Sequence, residues 1–294
     1  MHKVRFVPLV LVLAATNFCS AQQQPAAPFQ VHQLTPAIYW VQGGGGNSGV
    51  IIGEHGVIVI DTKVRPDGGK QLLDDIAQIT PKPVTTVILS HSDIDHIGGL
   101  PSFPKGVTII AHANNWKEQQ EALAKGGPGA PAPGYPPTRI ISKDKEDLTI
   151  DGVNLELLHW GPAHTGGDLV VFLPAEKLVF AGDILEGNRF RPEVHIEKNG
   201  TSEGWIANVK GMVALDATQY VSGHAAVLDK EAVEKYLNDV ETERTKIKEL
   251  VSQGQTLAQV QAAVGDPPPD NPPGGYGTRF PAFSEVVYRE LTKQ

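Results

Sequence analysis

Short apolar runs recur along the chain, and their spacing sorts into two periods. Ile38-Tyr39-Trp40-Val41, Gly49 to Ile52 and Val57 to Ile60 are brief β-branched or aromatic stretches separated by turn residues. That is the pattern of a series of hairpins, beginning at Val31. The period then changes: across Gly69 to Ile79, the residues Leu72, Leu73, Ile76 and Ile79 fall on one side of a helix, which Pro81 and Pro83 end. Val84 to Leu89 reads as a strand buried on both faces. Val107 to Ala111 and Asn114 to Lys125 predict a further strand and helix. Residues 126–137 (GGPGAPAPGYPP) are too rich in Pro and Gly for either element and read as a long loop, with Tyr135 exposed on it. The hairpin signal Ile150-Asp151-Gly152-Val153 opens a second series: Asn154 to His159, Leu169 to Leu173, and Leu178 to Phe180. Glu203 to Leu215 and Asp229 to Val251 are helical in period. The latter is highly charged and would bury Val233, Tyr236, Leu237 and Val240. Residues 265–281 are again rich in Pro and Gly, and Phe283 to Leu291 predicts a closing helix. Strands followed by helix and strand, given twice, predict an α/β (α+β) fold in two similar halves.

Composition narrows the function classes. A net charge of -8 over 294 residues supplies no basic stripe, which argues against a nucleic-acid groove and leaves a small-molecule substrate as the expected partner. His2, Lys3 and Arg5, the apolar run Phe6 to Ala15 and the small-residue site Cys19-Ser20-Ala21 predict a signal peptide over residues 1–21. Its apolar run is too short to span a bilayer, so no stable membrane anchor is expected after processing. Residues 22–28 read as a disordered leader and 29–294 as the folded domain, exported to the periplasm or secreted. The single cysteine, Cys19, would leave with the leader, so the mature protein would have neither thiol nor disulfide. Nothing in the sequence sets the oligomeric state.

Candidate chemistry concentrates after the buried strand. In Ser90-His91-Ser92-Asp93-Ile94-Asp95-His96-Ile97-Gly98-Gly99, four side chains able to ligate a metal arrive within six residues, at the edge where open α/β layers place their sites. The turn Gly43 to Gly46 is either slack and exposed or lies close against a ligand. Asp61, at a strand end, would either support the metal loop or cap the next helix. His112 reads as structural or a loop histidine, His159 as facing core or a neighbouring layer, and His195 as part of a solvated loop or as lining the pocket mouth. Neither a Ser/His/Asp constellation nor a Gly-x-x-x-x-Gly-Lys loop competes with the metal-binding reading.

Four motifs together carry a family resemblance. The stretch His91 to His96 resembles the His-x-His-x-Asp-His signature of the metallo-β-lactamase-fold superfamily, with Asp93 where a second histidine is expected. Gly161 to Asp168, around His164, resembles the family's third-histidine motif. Phe180-Ala181-Gly182-Asp183 resembles its bridging-aspartate motif and Val221-Ser222-Gly223-His224 its last-histidine motif. The resemblance implies a four-layer αβ/βα sandwich and two divalent ions, zinc by family habit. It assigns His91, Asp93 and His164 to one ion, Asp95, His96 and His224 to the other, and Asp183 to the bridge. It also implies hydrolysis by a metal-bridging hydroxide, with Asp95 and Asp183 part of the catalytic set. In that compartment β-lactam opening is the first activity expected. The alternatives are another ester, thioester, lactone or phosphoester, or metal binding without turnover. An ionised Asp93 would cancel the last positive charge of a centre already holding Asp95, Asp183 and hydroxide. That would weaken Lewis acidity, and a carboxylate donor in place of an imidazole favours harder ions such as manganese or iron(II) over zinc.

Overall fold

The computed structural model describes residues 28–127, 130–187, 189–266 and 280–292, so the assignments for residues 1–27 lie outside it. The first half forms a seven-stranded sheet in the order β1 to β7. Its antiparallel part is β1 (Gln30–Thr35), β2 (Ile38–Gln42), β3 (Ser48–Ile52) and β4 (Val57–Ile60). Helix α1 (Pro66–Ile79) then crosses over to β5 (Val84–Ile88), which lies parallel to β4. A single turn, α2 (Ile94–Ile97), follows, and then β6 (Thr108–His112), α3 (Ala113–Lys125) and β7 (Arg139–Ile141), with both strands parallel.

The second half forms a six-stranded sheet, made of β8 (Lys145–Ile150), β9 (Val153–Leu158), β10 (Val170–Leu173), β11 (Leu178–Phe180), β12 (Gln219–Val221) and β13 (Leu228–Asp229). Here β11 and β12 are parallel, joined through α4 (Ser202–Ala214). Helices α5 (Lys230–Ser252), α6 (Leu257–Val264) and α7 (Phe283–Thr292) complete the chain.

Alternation along the strands builds the layers. In the first sheet Ile38, Ile58, Ile60, Ile88 and Ile110 face inward against Leu155, Leu157, Val171, Leu173 and Phe180 of the second. The alternate residues Val57, Val59, Val87 and Ala111 face outward onto Leu72, Ile76 and Ile97. On the far side Val170, Phe172 and Val179 pack on Trp205, Val209, Met212, Val233 and Leu237. Helix, sheet, sheet and helix therefore stack as a four-layer αβ/βα sandwich, held together by apolar burial worth roughly 25 cal/mol per Å². The Asp151–Gly152 turn expected at the β8–β9 hairpin carries positive φ at both residues (48° and 80°), as a two-residue hairpin of that twist requires.

Three features go beyond the sequence pattern. Tyr135 is half-buried rather than exposed: its hydroxyl donates to the Pro101 carbonyl and Lys105 Nζ sits 3.8 Å from its ring centroid. The Gly43 to Gly46 turn is not slack, since Gly46 N donates to the Asp95 carbonyl at 3.1 Å and a Cβ at Gly46 would collide with the His96 imidazole. Buried Lys63 anchors the turn from beneath by donating to Val41 O and Gly46 O, and burial pushes its amine down to about 7. Third, α6 has no counterpart in the sequence pattern; it is eight residues opened by a Thr256–Gln259 capping box.

Candidate metal centre

The carboxyl ends of β4, β5, β11 and β12 and the loop between β9 and β10 converge on one edge of the sandwich. Asp61 follows β4, the His91 to His96 loop follows β5, His164 lies between β9 and β10, Asp183 follows β11, and His224 follows β12. All seven sequence-predicted residues meet there. His91 Nε2 lies 3.9 Å from Asp183 Oδ2 and 3.7 Å from Asp93 Oδ2. His164 Nε2 lies 3.1 Å from Asp93 Oδ2 and 3.9 Å from Asp183 Oδ2. On the other side His96 Nε2 is 3.1 Å from Asp183 Oδ1, and His224 Nε2 is 3.0 Å from Asp183 Oδ2 and 3.3 Å from Asp95 Oδ2. Asp183 thus touches both halves of the cluster.

Outer hydrogen bonds hold the imidazoles. Asp61 Oδ2 bonds His96 Nδ1 at 2.8 Å and accepts from Ser90 Oγ at 2.6 Å, while its Oδ1 accepts from Ser90 N at 2.8 Å. Asp61 therefore supports the metal loop rather than capping α1, whose N-cap position is held by Arg65 without a side-chain hydrogen bond. Ser90 Oγ in turn meets His91 Nδ1 at 2.9 Å, and His164 Nδ1 meets the Glu193 carbonyl at 3.0 Å. With their outer nitrogens engaged, His91, His96 and His164 aim Nε2 at the centre.

These residues fit divalent cations. His91 Nε2 and Asp183 Oδ1 are buried with no hydrogen-bond partner among the described residues, a cost that a ligated cation removes. Groups within 4.8 Å include His91–His164–Asp183 and Asp95–His96–His224. The electrostatics agree. Burial opposes charge on His96, but Asp183, Asp95 and Asp61 hold its imidazole well above the ordinary range. Burial would raise Asp183, yet His96 and His224 hold it well below. Without metal the cluster binds protons, which a dication can replace.

Three residues absent from the sequence-derived set also enter the site. Lys198 Nζ donates to Asp93 Oδ1, and to Ser92 Oγ at 3.2 Å. Ser92 Oγ donates to Glu118 Oε2 at 2.7 Å, and burial pushes the Glu118 carboxyl up to about 7. The charge count therefore gains a cation, Lys198, which offsets Asp93, while Asp93 remains a carboxylate donor. His195, read as a solvated loop residue or as lining the pocket mouth, is 4% exposed and lies beside Asp93 and His164. Its only sequence signal is its place in a polar stretch shortly after Asp183.

His112 and His159 stay outside the cluster. His112 accepts from Asn114 N at the start of α3 and stacks on His159 at 4.0 Å, and His159 Nδ1 meets the Asp168 carbonyl. Burial, with His159 adding, pushes His112 down to about 4. The folded state then binds fewer protons than the unfolded one between that value and about 6.5, so stability is intact above about 6.5 and is lost as pH falls towards 4. His112→Asn, which retains a capping acceptor, is expected to reduce this acid loss by about 2 kcal/mol and to leave metal content unchanged. Denaturant titrations at pH 7 and pH 4 check it; an unaltered difference between the two would exonerate His112.

Parallel strands on two facing sheets, with a His/Asp cluster at their carboxyl edge, define a metal-binding αβ/βα sandwich. The chain belongs to the metallo-beta-lactamase superfamily, whose family model matches residues 41–224. It is 30% identical over 176 residues to the 2,4-dinitroanisole O-demethylase subunit alpha of Nocardioides sp. (strain JS1661), covering 59% of this chain. It spans only 51% of that relative's length. To the metallo-beta-lactamase type 2 of Bacteroides fragilis it is 29% identical over 144 residues, 49% of this chain and 53% of the relative. In fold it resembles a stereoselective inverting sec-alkylsulfatase from Pseudomonas sp., with a TM-score of 0.69 at 19% identity over 89% of this chain and 50% of the other.

Proposed function

We propose that the chain is a metal-dependent hydrolase of a small molecule, using two divalent ions, with zinc the first candidate and manganese or iron(II) the alternatives. In this reading His91, Asp93 and His164 hold one ion, and Asp95, His96 and His224 hold the other. The observation that carries it is the position of Asp183, one carboxylate within 3.0–3.9 Å of imidazoles from both halves of the cluster. When bound, such a pair supplies Lewis acidity and a water acidified towards neutral pH. The chain's own residues do the rest: Asp61, Ser90 and the Glu193 carbonyl fix the imidazoles, and Asp183 sets the spacing. The glycine turn above Asp95 and His96 brings backbone, without side chains, up to the mouth of the site.

Opening of a β-lactam amide is the first substrate class, consistent with the export we propose from residues 1–21. A second reading is cleavage of an activated ether, favoured because the likeness to the O-demethylase subunit covers more of the chain (59%) than the likeness to the lactamase (49%). The test is a hydrolysis screen over a cephalosporin, 2,4-dinitroanisole, an alkyl sulfate, a thioester, a lactone and a phosphodiester, before and after chelation. Turnover on one class that chelation removes and zinc or manganese restores supports the proposal. Turnover that survives complete metal removal sinks it.

A further inference from the structure

His195 shares the logic of the imidazoles assigned above with its two nitrogens exchanged: Nε2 is held from outside and Nδ1 is presented to the centre. Its Nε2 meets Glu193 Oε1 at 3.0 Å, as His96 Nδ1 meets Asp61 and His164 Nδ1 meets the Glu193 carbonyl. A carboxylate on one ring nitrogen makes that nitrogen the donor and leaves a lone pair on the other. The other nitrogen, Nδ1, is buried and without a hydrogen-bond partner among the described residues, the condition found at His91 Nε2. It lies 3.6 Å from Asp93 Oδ2, and the ligand atoms of Asp93, His164 and His195 lie within 4.8 Å of one another. Phe280 stacks on the ring at 4.4 Å and 23°, which fixes its plane. Glu197 approaches Nδ1 to 3.4 Å from the exposed side, without a hydrogen bond.

The position matters because of what Asp93 is doing. Its Oδ1 is engaged by Lys198, an ammonium with 25% of its side chain exposed, while its Oδ2 faces His91, His164 and His195. The carboxylate is thereby tied into a charge pair, and the imidazole missing from position 93 is matched by one arriving from a segment about a hundred residues away.

We propose that His195 is a metal ligand of the first site, its Nδ1 supplying the imidazole that Asp93 does not, with Lys198 neutralising Asp93 beside it. This inference rests on the two-metal reading above. It makes the first site richer in nitrogen than the motif implies and returns its preference towards zinc.

The test uses zinc and cobalt(II) on the full chain, comparing the unaltered protein with His195→Phe and His195→Asn. The two variants keep the stack on Phe280 and the polarity of the site respectively, and near-ultraviolet circular dichroism checks that each folds. Competition against a chromophoric chelator should show one of the two zinc affinities falling more than about 100-fold in both variants, beyond the 10–100-fold of an outer-shell change. In the cobalt(II) form, proton NMR should lose one strongly hyperfine-shifted imidazole N–H signal, the one that Nε2–H of His195 gives through Glu193. A residue that only steers Asp93 would weaken zinc without removing such a signal. Two unchanged zinc affinities, or an undiminished set of shifted signals in a folded variant, overturns the ligand assignment and leaves the two-metal reading standing. No tight zinc in the unaltered protein overturns both.

Discussion

Asp61→Ala is expected to lower zinc affinity by roughly 10–100-fold and to cost about 3 kcal/mol of stability, although Asp61 belongs to neither ligand group of the proposed pair. The side chain is buried and serves three donors, Ser90 N, Ser90 Oγ and His96 Nδ1. Alanine leaves those donors unmatched inside the protein, each costing about 1–3 kcal/mol, and frees the His96 ring to rotate away from Asp183. Asp61 also sits at φ 59°, a conformation aspartate and asparagine tolerate better than alanine. Asp61→Asn therefore separates the two effects: it should keep most of the stability while still weakening zinc, because an amide cannot satisfy Ser90 and His96 together. Thermal melts with and without zinc, alongside chelator competition, measure both. An Asp61→Ala protein with unchanged melting and unchanged affinity would remove Asp61 from the account.

Gly223→Ala is expected to disable the centre without altering any ligand. A Cβ at Gly223 would overlap Asp183 Oδ1 outright and lie 2.9 Å from its carboxyl carbon and 3.0 Å from the Gly182 carbonyl. The backbone cannot yield easily, since Gly223 N donates to Leu185 O at 2.8 Å and its carbonyl accepts from Asn47 N at 2.6 Å. The Asp183 carboxylate must therefore turn. A displacement near 1 Å at a reacting centre can cost about 100-fold in rate, and loss of one ion is expected as well. Gly254→Ala is the control: it carries φ 76° and has open space around its Cβ, so it pays only backbone strain of about 1–2 kcal/mol. Equal metal content and rate in Gly223→Ala and the unaltered protein would show that Asp183 has freedom the packing denies it.

Sequence pattern revealed much of this architecture because the sheets are built from local signals. The inward isoleucines and outward valines of β4 and β5 are consecutive residues, His91, Asp95 and His96 come within a few positions of the end of β5, and Asp183 does so after β11. The edge strand β7, with three residues, and the helix α6, with eight, are too short for a period to register. Lys198 and Glu118 are not legible for a different reason. Lys198 reaches Asp93 across 105 positions, from the second half of the chain to the first, and Glu118 on α3 reaches Ser92 across 26, so both contacts arise only on folding. Nothing in the local sequence of Lys198 distinguishes it from a surface lysine. The one local oddity, Asp93, is visible in the motif, whereas its counter-charge, Lys198, is brought beside it only by the fold.

The central claim is a two-metal centre joined by Asp183. The most direct measurement is metal stoichiometry by elemental analysis after zinc loading and removal of excess ion, on the unaltered protein and on Asp183→Ala. The account predicts two tightly held ions per chain in the first and no more than one in the second, with hydrolysis lost in step. Two ions retained by a folded Asp183→Ala protein, or none held by the unaltered chain, would contradict it.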